Sequence, residues 1–179
     1  MSTFKHNRES HIIISELMLP SHSNFSGKIH GGYILSLMDQ IAFACAAKYS
    51  GYYAVTASVD KVDFLQPIEV GELVTMKACV NFVGRSSMVV GVRVESENIT
   101  SGSKKHCNSS YFTMVAKDQG KTVAVPGLIL DDESSIRRFV RSASRQQQGK
   151  IRRAKFASNT FKISEHMDML KDYNVKVEL

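Results

Sequence analysis

The chain has 179 residues, 43% hydrophobic and 22% charged, with three cysteines and a formal net charge of +6. These figures exclude wholesale disorder, a collagen-like repeat and a disulfide-built miniprotein, and they suit about one domain with some chain left over. The charge is local. Residues 137–155 hold eight basic side chains (Arg137, Arg138, Arg141, Arg145, Lys150, Arg152, Arg153, Lys155) and no acid, against 12 basic and 13 acidic in residues 1–136 and three basic and four acidic in residues 156–179. A body coated for nucleic acid on every face does not fit that distribution.

The N-terminus, Met1-Ser-Thr-Phe-Lys-His-Asn-Arg, has no apolar run of signal-peptide length. The most apolar stretch, Tyr33–Ala47, is 15 residues interrupted by Ser36, Asp39 and Gln40, too short and too polar to span a bilayer. The expectation is a cytoplasmic protein without membrane insertion. Cys45, Cys79 and Cys107 are odd in number, lack metal-ligand spacing and sit in apolar or strand-like patterns, so buried free thiols are expected. His6, His11, His22, His106 and His166 have no partner pattern and are expected on the surface or in loops.

His11–Leu19 is β-branched and apolar and ends at Pro20, which predicts a strand; Ser21–Gly32 is a loop rich in Ser, Asn, His and Gly. Tyr33–Tyr49 follows as a helix. Ile34, Leu35, Met38, Ile41, Ala42 and Cys45 trace one face, while Leu37, Phe43, Ala44 and Ala46 cover most of the rest. A helix apolar nearly all round is a buried helix. Its polar members Ser36, Asp39 and Gln40 form one narrow stripe at i, i+3, i+4.

After Gly51 the period changes to two. Val55, Ala57 and Val59 alternate with polar residues, then the parity shifts to Val62 and Phe64, predicting a β-bulge near Asp60-Lys61. Leu73–Phe82, Ser86–Glu95 and Lys104–Val115 are three further strands joined by short polar turns, which implies antiparallel neighbours. The pattern is a strand, one long helix, then four strands in a meander: an α+β fold with about five antiparallel strands around a central helix. Its unpaired edges imply a dimer or larger assembly. Val123–Leu130 reads as a short strand or docking arm. Asp131-Asp132-Glu133-Ser134 reads as a helix N-terminus, residues 135–147 as a helix, and residues 149–179 as a second weak helix or disordered chain.

The chemistry concentrates in Asn24–Asp39. His30-Gly31-Gly32 lies where a loop becomes the N-terminus of the buried helix. There, unpaired amides and the positive dipole end suit an oxygen that gains negative charge, and glycine lets a ligand approach the backbone. Asp39 follows about two turns on, in a helix that is otherwise apolar, where a carboxylate needs a partner or a role. Asn24 can polarise a carbonyl or hold a water. Asn24 and Gly27 can equally serve only to shape a turn, the glycines only to allow tight packing, and Asp39 only to face solvent. His30 suits a shaping or hydrogen-bonding role in the glycine turn better than that of a general base. No Cys/His metal set, phosphate loop or dinucleotide fingerprint occurs.

Three motifs in order, Asn24…Gly27…His30-Gly31-Gly32…Met38-Asp39, then Val55-Thr-Ala-Ser-Val-Asp60…Asp63-Phe64…Pro67-Ile68…Gly71, then Val83-Gly-Arg-Ser-Ser-Met88, resemble the acyl-CoA hydrolases of the hotdog fold. The resemblance is to the branch with one hotdog domain per chain, related to the brain-type and YciA-type thioesterases. It covers roughly residues 8–125 and leaves residues 126–179 as a basic C-terminal extension. It implies thioester hydrolysis to a free acid and CoA, with Asp39 as the catalytic carboxylate and Asn24 as the catalytic amide. The two would meet across the interface of a homodimer, and trimers of such dimers are the implied hexamer. It also implies that His30, Gly31 and Gly32 hold the thioester, that Thr56, Ala57, Ser58 and Val59 line the pantetheine path, and that Gly84, Arg85, Ser86 and Ser87 lie near the nucleotide end of CoA. No cofactor is implied beyond the CoA of the substrate. The arginines Arg137, Arg138 and Arg141 suit the phosphates of CoA, on the same or a neighbouring subunit, or else form a solvated basic face. A non-catalytic acyl-CoA-binding module is the alternative function, and a nucleic-acid binder using the basic segment is a weaker one.

Overall fold

The computed structural model describes residues 3–158, 162–165 and 167–178; of the histidines considered above, His166 lies outside them. The described chain forms two compact units, one up to Ala143 and one from Ser144 onward.

The first unit is built on α1 (Gly31–Ser50), a helix that starts two residues before the apolar pattern and ends at Gly51 in the left-handed conformation (φ 77°). Met38, Ile41, Ala42, Cys45, Ala46 and Tyr49 are fully buried. The strands are β1 (Phe4–His6), β2 (Ile12–Leu17), β3 (Tyr53–Val59), β4 (Leu73–Val83), β5 (Ser87–Glu97), β6 (Lys104–Asp118), β7 (Lys121–Thr122) and β8 (Gly127–Ile129). Five of them form an antiparallel sheet in the order β2-β4-β5-β6-β3, with β7 folded back on the end of β6. Alternate residues such as Val74, Met76, Ala78 and Val80 of β4, Val90, Val92 and Val94 of β5, and Phe112, Met114 and Ala116 of β6 share one core with α1. This period-2 face closed on an all-apolar helix is the expected strand–helix–strand layering.

The structure corrects three details. Only β4, β5 and β6 form a meander; β3 crosses to the far edge beside β6, because the connection between β3 and β4 is long enough to pass the end of the sheet. The bulge in β3 lies between Thr56 and Ser58, with Ala57 as the extra residue, not at Asp60-Lys61. Residues beyond Val59 leave the ladder and are held to β6 singly, by Asp60 N–H to Tyr111 O (2.9 Å) and Leu65 N–H to Cys107 O (2.8 Å). The change of apolar parity therefore marks an early bulge followed by loss of the strand. Finally, α2 (Glu133–Ser158) is one continuous helix through Gly149. A single glycine costs about 1 kcal/mol, which the Gln, Lys, Arg and Ala residues around it offset.

The arm after β7 forms β8, which pairs in parallel with β1. Tyr49 donates from its hydroxyl to Gly127 O (2.7 Å), tying that pair to the end of α1; burial pushes the phenol up to about 12. The three cysteines are free; Cys45 and Cys107 are buried and Cys79 is half-buried. Among the described residues, no helix is long and apolar enough to cross a membrane.

A buried polar knot pins the far end of the sheet. Glu72, 6% exposed, accepts from Lys105 Nζ (2.8 Å), Ser96 Oγ (2.6 Å) and the Glu69 amide (3.0 Å). Burial alone would raise its carboxyl pKa; Lys105, Ser96 and the amide together overcome that and hold it below the ordinary value. A carboxyl whose folded pKa is depressed stabilises the fold above its unfolded value, and that contribution is lost as pH falls through the folded one. We expect Glu72→Ala to lower stability by about 2–3 kcal/mol at neutral pH, because it strands Lys105. We also expect it to flatten the acid limb of stability against pH, both read by urea unfolding.

Candidate active site

The loop that leads into α1 is closed on itself by Asn24. Its backbone N–H bonds to Lys28 O (2.7 Å), and its carboxamide oxygen accepts from Ser26 N–H (2.9 Å), Ser26 Oγ (2.7 Å) and Lys28 N–H (3.2 Å). Gly27 takes φ 76° at the turn, a conformation that a side chain would strain. With its oxygen committed to the backbone, the amide is locked so that its NH₂ group is left to donate; that group makes no hydrogen bond among the described residues. Lys28 anchors the loop to the segment before β4 through Glu69 (2.6 Å).

His30 is the N-cap of α1: its Nδ1 accepts from the Gly32 amide (3.0 Å), which sets Nε2 as the protonated nitrogen. The Gly31 amide, one residue into the helix, has no intrahelical acceptor. Both glycines keep the turn close-fitting. A Cβ on Gly32 would lie 3.1 Å from His30 Nδ1, and one on Gly31 would lie 3.1 Å from the Phe64 ring. The cap is braced from outside, since His22 stacks on Tyr33 at 4.0 Å and the Tyr33 hydroxyl donates to Glu16. His22, read from sequence as a bare loop residue, is thus part of the support.

Asp39 sits on the exposed stripe of α1 with Ser36 and Gln40, as its spacing implied. Its Oδ1 accepts from Thr56 Oγ1 at 2.6 Å. Sequence spacing could not reveal this partner, because Thr56 lies 17 residues away on another element; only the register of β3 against α1 brings the two together. Within the chain no hydrogen bond joins Asn24 to Asp39 among the described residues. Thr56, Ala57, Ser58 and Val59 run along the exposed edge strand. Phe43 and Tyr53, both exposed, pack against each other at 5.4 Å beside Asp39's helix face.

The turn Gly84-Arg85-Ser86-Ser87 joins β4 to β5. It is fastened by Gly84 N–H to Ser87 O (2.7 Å), by Ala116 N–H to Ser86 O (3.0 Å) and by Val125 N–H to Arg85 O (3.0 Å). Arg137, Arg138 and Arg141 are elsewhere: they stand over the outer face of the sheet, beside Lys77 and Arg93, which point away from α1. The structure therefore brings Asp39 and Thr56 together, and His30, Gly31 and Gly32 at the start of the same helix. It puts the three arginines on the other side of the sheet.

Residues 26–103 match the family model of the thioesterase superfamily. Protein VdlD of Helicobacter pylori is 40% identical over 136 residues, covering 76% of this chain and 78% of its own length. The uncharacterised acyl-CoA thioester hydrolase YkhA of Bacillus subtilis is 34% identical, over 82% of this chain and 86% of its own. Among solved structures, an apo-hexameric acyl-CoA thioesterase superposes with a TM-score of 0.82 at 35% identity, covering 85% of this chain and 98% of that one. An acyl-CoA hydrolase from Staphylococcus aureus, solved with butyryl-CoA, CoA and CoA disulfide, superposes with a TM-score of 0.80 at 32% identity, covering 86% and 94%. That protein was also solved with an asparagine, an aspartate or a threonine changed to alanine, the three spaced 15 and 17 residues apart. The chain belongs to the thioesterase superfamily and has its hotdog fold.

If His30 caps the helix and shapes the turn, His30→Ala should lower stability by about 1 kcal/mol. His30→Asn, which can still cap, should restore most of it and keep turnover close to wild type. A loss of turnover in His30→Asn as large as removal of a general base would contradict the capping role; thermal unfolding and thioester cleavage by both variants decide it.

Proposed function

We propose that the protein hydrolyses acyl-CoA thioesters to a free carboxylic acid and CoA, with Asp39 as general base and Asn24 as the positioning amide. The observation that carries this reading is the Asp39 carboxylate, held on the open stripe of α1 by Thr56 at 2.6 Å. The intervals Asn24–Asp39 and Asp39–Thr56 are 15 and 17 residues, the same as those between the three residues altered in the Staphylococcus aureus hydrolase. The acyl-CoA hydrolases among its relatives and structural neighbours support the substrate class.

The chemistry follows from the geometry. Thr56 fixes the rotamer of Asp39 through Oδ1, which leaves Oδ2 to take a proton from water as it attacks the thioester carbon. The oxyanion that forms is stabilised by the Gly31 amide and the positive end of α1 in the protomer that supplies Asn24, since within one chain Gly31 lies eight residues, about 12 Å, along the helix from Asp39. The Asn24 NH₂, oriented by its three-fold tethered oxygen, holds the carbonyl or the water. The thiolate of CoA then leaves, and neither a metal nor a cofactor beyond the substrate's own CoA is called on.

Thr56–Val59 would line the pantetheine path, and Gly84–Ser87 would approach the nucleotide end of CoA. The catalytic pair is shared between chains in this reading, Asn24 from one protomer meeting Asp39 of its partner. The unpaired edge of β3 and the exposed Phe43 and Tyr53 support such a dimer. Three dimers would make a hexamer, the assembly of the apo-hexameric relative, working in the cytoplasm.

The test is release of free thiol from acetyl-CoA through palmitoyl-CoA. Asp39→Asn and Asn24→Ala should each lower kcat by roughly 10²–10⁴-fold, the range for an acid–base group. Thr56→Val should give a smaller loss. Near-wild-type turnover by purified Asp39→Asn would overturn the assignment.

A further inference from the structure

The outer face of the sheet carries a cleft of about 430 Å³ that the hydrolytic chemistry leaves unused. Its floor is β2, β4, β5 and β6, and its rim is the first turns of α2, all within the unit that ends at Ala143. Five cationic side chains line it: Lys77 and Arg93 from the sheet, and Arg137, Arg138 and Arg141 from the helix. The two sheet cations are already neutralised by one acid, since Glu95 accepts from Lys77 Nζ (2.6 Å) and Arg93 Nε (2.8 Å). The three helix arginines hold no carboxylate within ion-pair distance among the described residues, although Asp131, Asp132 and Glu133 precede them in the chain. Among the described residues neither Arg137 nor Arg141 has an ion-pair partner, and Arg138 reaches only the Cys79 sulfur at 3.7 Å, a weak acceptor.

Arg141 is the like-charged neighbour of both Arg137 (i, i+4) and Arg138 (i, i+3) on one helix, and these pairs repel. An anion between them and the sheet removes that repulsion and fills their donors. The guanidinium fork fits phosphate oxygens in pairs, and the donors of Arg137 and Arg141 are not taken up by ion pairs among the described residues. The volume is far larger than one phosphate and falls in the range of small-molecule sites. Part of the wall is apolar and aromatic, from Ile13 and Tyr111, which suits the organic part of such a ligand.

We propose that this cleft binds a phosphorylated organic anion of nucleotide size, at a site on the opposite face of the sheet from Asp39. Two sources share that chemistry, the nucleotide end of a CoA seated at another protomer's site and a free nucleotide. The inference rests on the hydrolase reading only for the first of them.

The experiment is calorimetric titration of the full-length protein at low salt with inorganic phosphate, ADP, adenosine 3′,5′-bisphosphate and CoA. The R137Q/R138Q/R141Q variant and Arg141→Gln alone are titrated in parallel, with circular dichroism and sedimentation as controls of fold and assembly. The organic phosphates should bind wild type more tightly than inorganic phosphate and more weakly as salt rises. Affinity should drop at least tenfold in the triple variant and measurably in the single one. If the ligand is the end of CoA, the variants raise KM for acyl-CoA at unchanged kcat and the bisphosphate competes with substrate. If it is a free nucleotide, binding is lost while KM stays put. Wild-type affinity in both variants, or no binding of any probe at millimolar concentration, overturns the proposal. Because binding is measured directly, a protein that binds these anions and cleaves no thioester leaves this site standing and removes only the hydrolase assignment.

Discussion

A helix that is apolar on nearly every side has to be wrapped, and the structure follows from that constraint. Burying Met38, Ile41, Ala42, Cys45, Ala46 and Tyr49 completely takes several strands at once, since one flat layer covers only one side of a cylinder. The sheet therefore curls, and the alternating apolar residues of β4, β5 and β6 close on α1 from successive directions. Each large side chain so withdrawn from water contributes roughly 1.5–3 kcal/mol.

The wrapping is incomplete along one line, and the candidate chemistry lies on it. Ser36, Asp39 and Gln40 occupy the strip of α1 that the sheet leaves open, and the edge strand β3 runs beside it to supply the hydroxyl of Thr56. At the start of the helix, the His30 cap and the two glycines stop side chains from covering the first amides. The boundary of the core thus carries the Asp39 carboxylate partway along the open strip and free helix amides at its start, about 12 Å apart along α1. The loop that carries Asn24 belongs to the same boundary: its carboxamide oxygen replaces a missing stretch of backbone pairing and so aims the nitrogen outward.

The other surface of the sheet follows a different rule. Strand alternation that places Ala78 and Val92 toward α1 must place Lys77 and Arg93 outward, and Glu95 bonds to both. When α2 brings three further arginines to that surface, none of them forms an ion pair among the described residues. The net charge of the chain is thereby concentrated in one helix and, in its first turns, around one concave place.

The sequence by itself determined the elements and the residue types of the site. A long run that is apolar on nearly every helical face reads as a core helix, period-2 alternation reads as strand over β4, β5 and β6, and the loop-to-helix junction at His30-Gly31-Gly32 exposes amides wherever the helix is placed. Local backbone preference and burial are enough for those statements. Tertiary structure decided the rest: that β3 joins the far edge beside β6, that the bulge falls at Ala57, that α2 runs through Gly149, that Thr56 is the partner of Asp39, and that Arg137, Arg138 and Arg141 face the outer side of the sheet. Each of these depends on which element packs beside which, a long-range choice set by how the curled sheet closes on its helix and not by the spacing of residues along the chain.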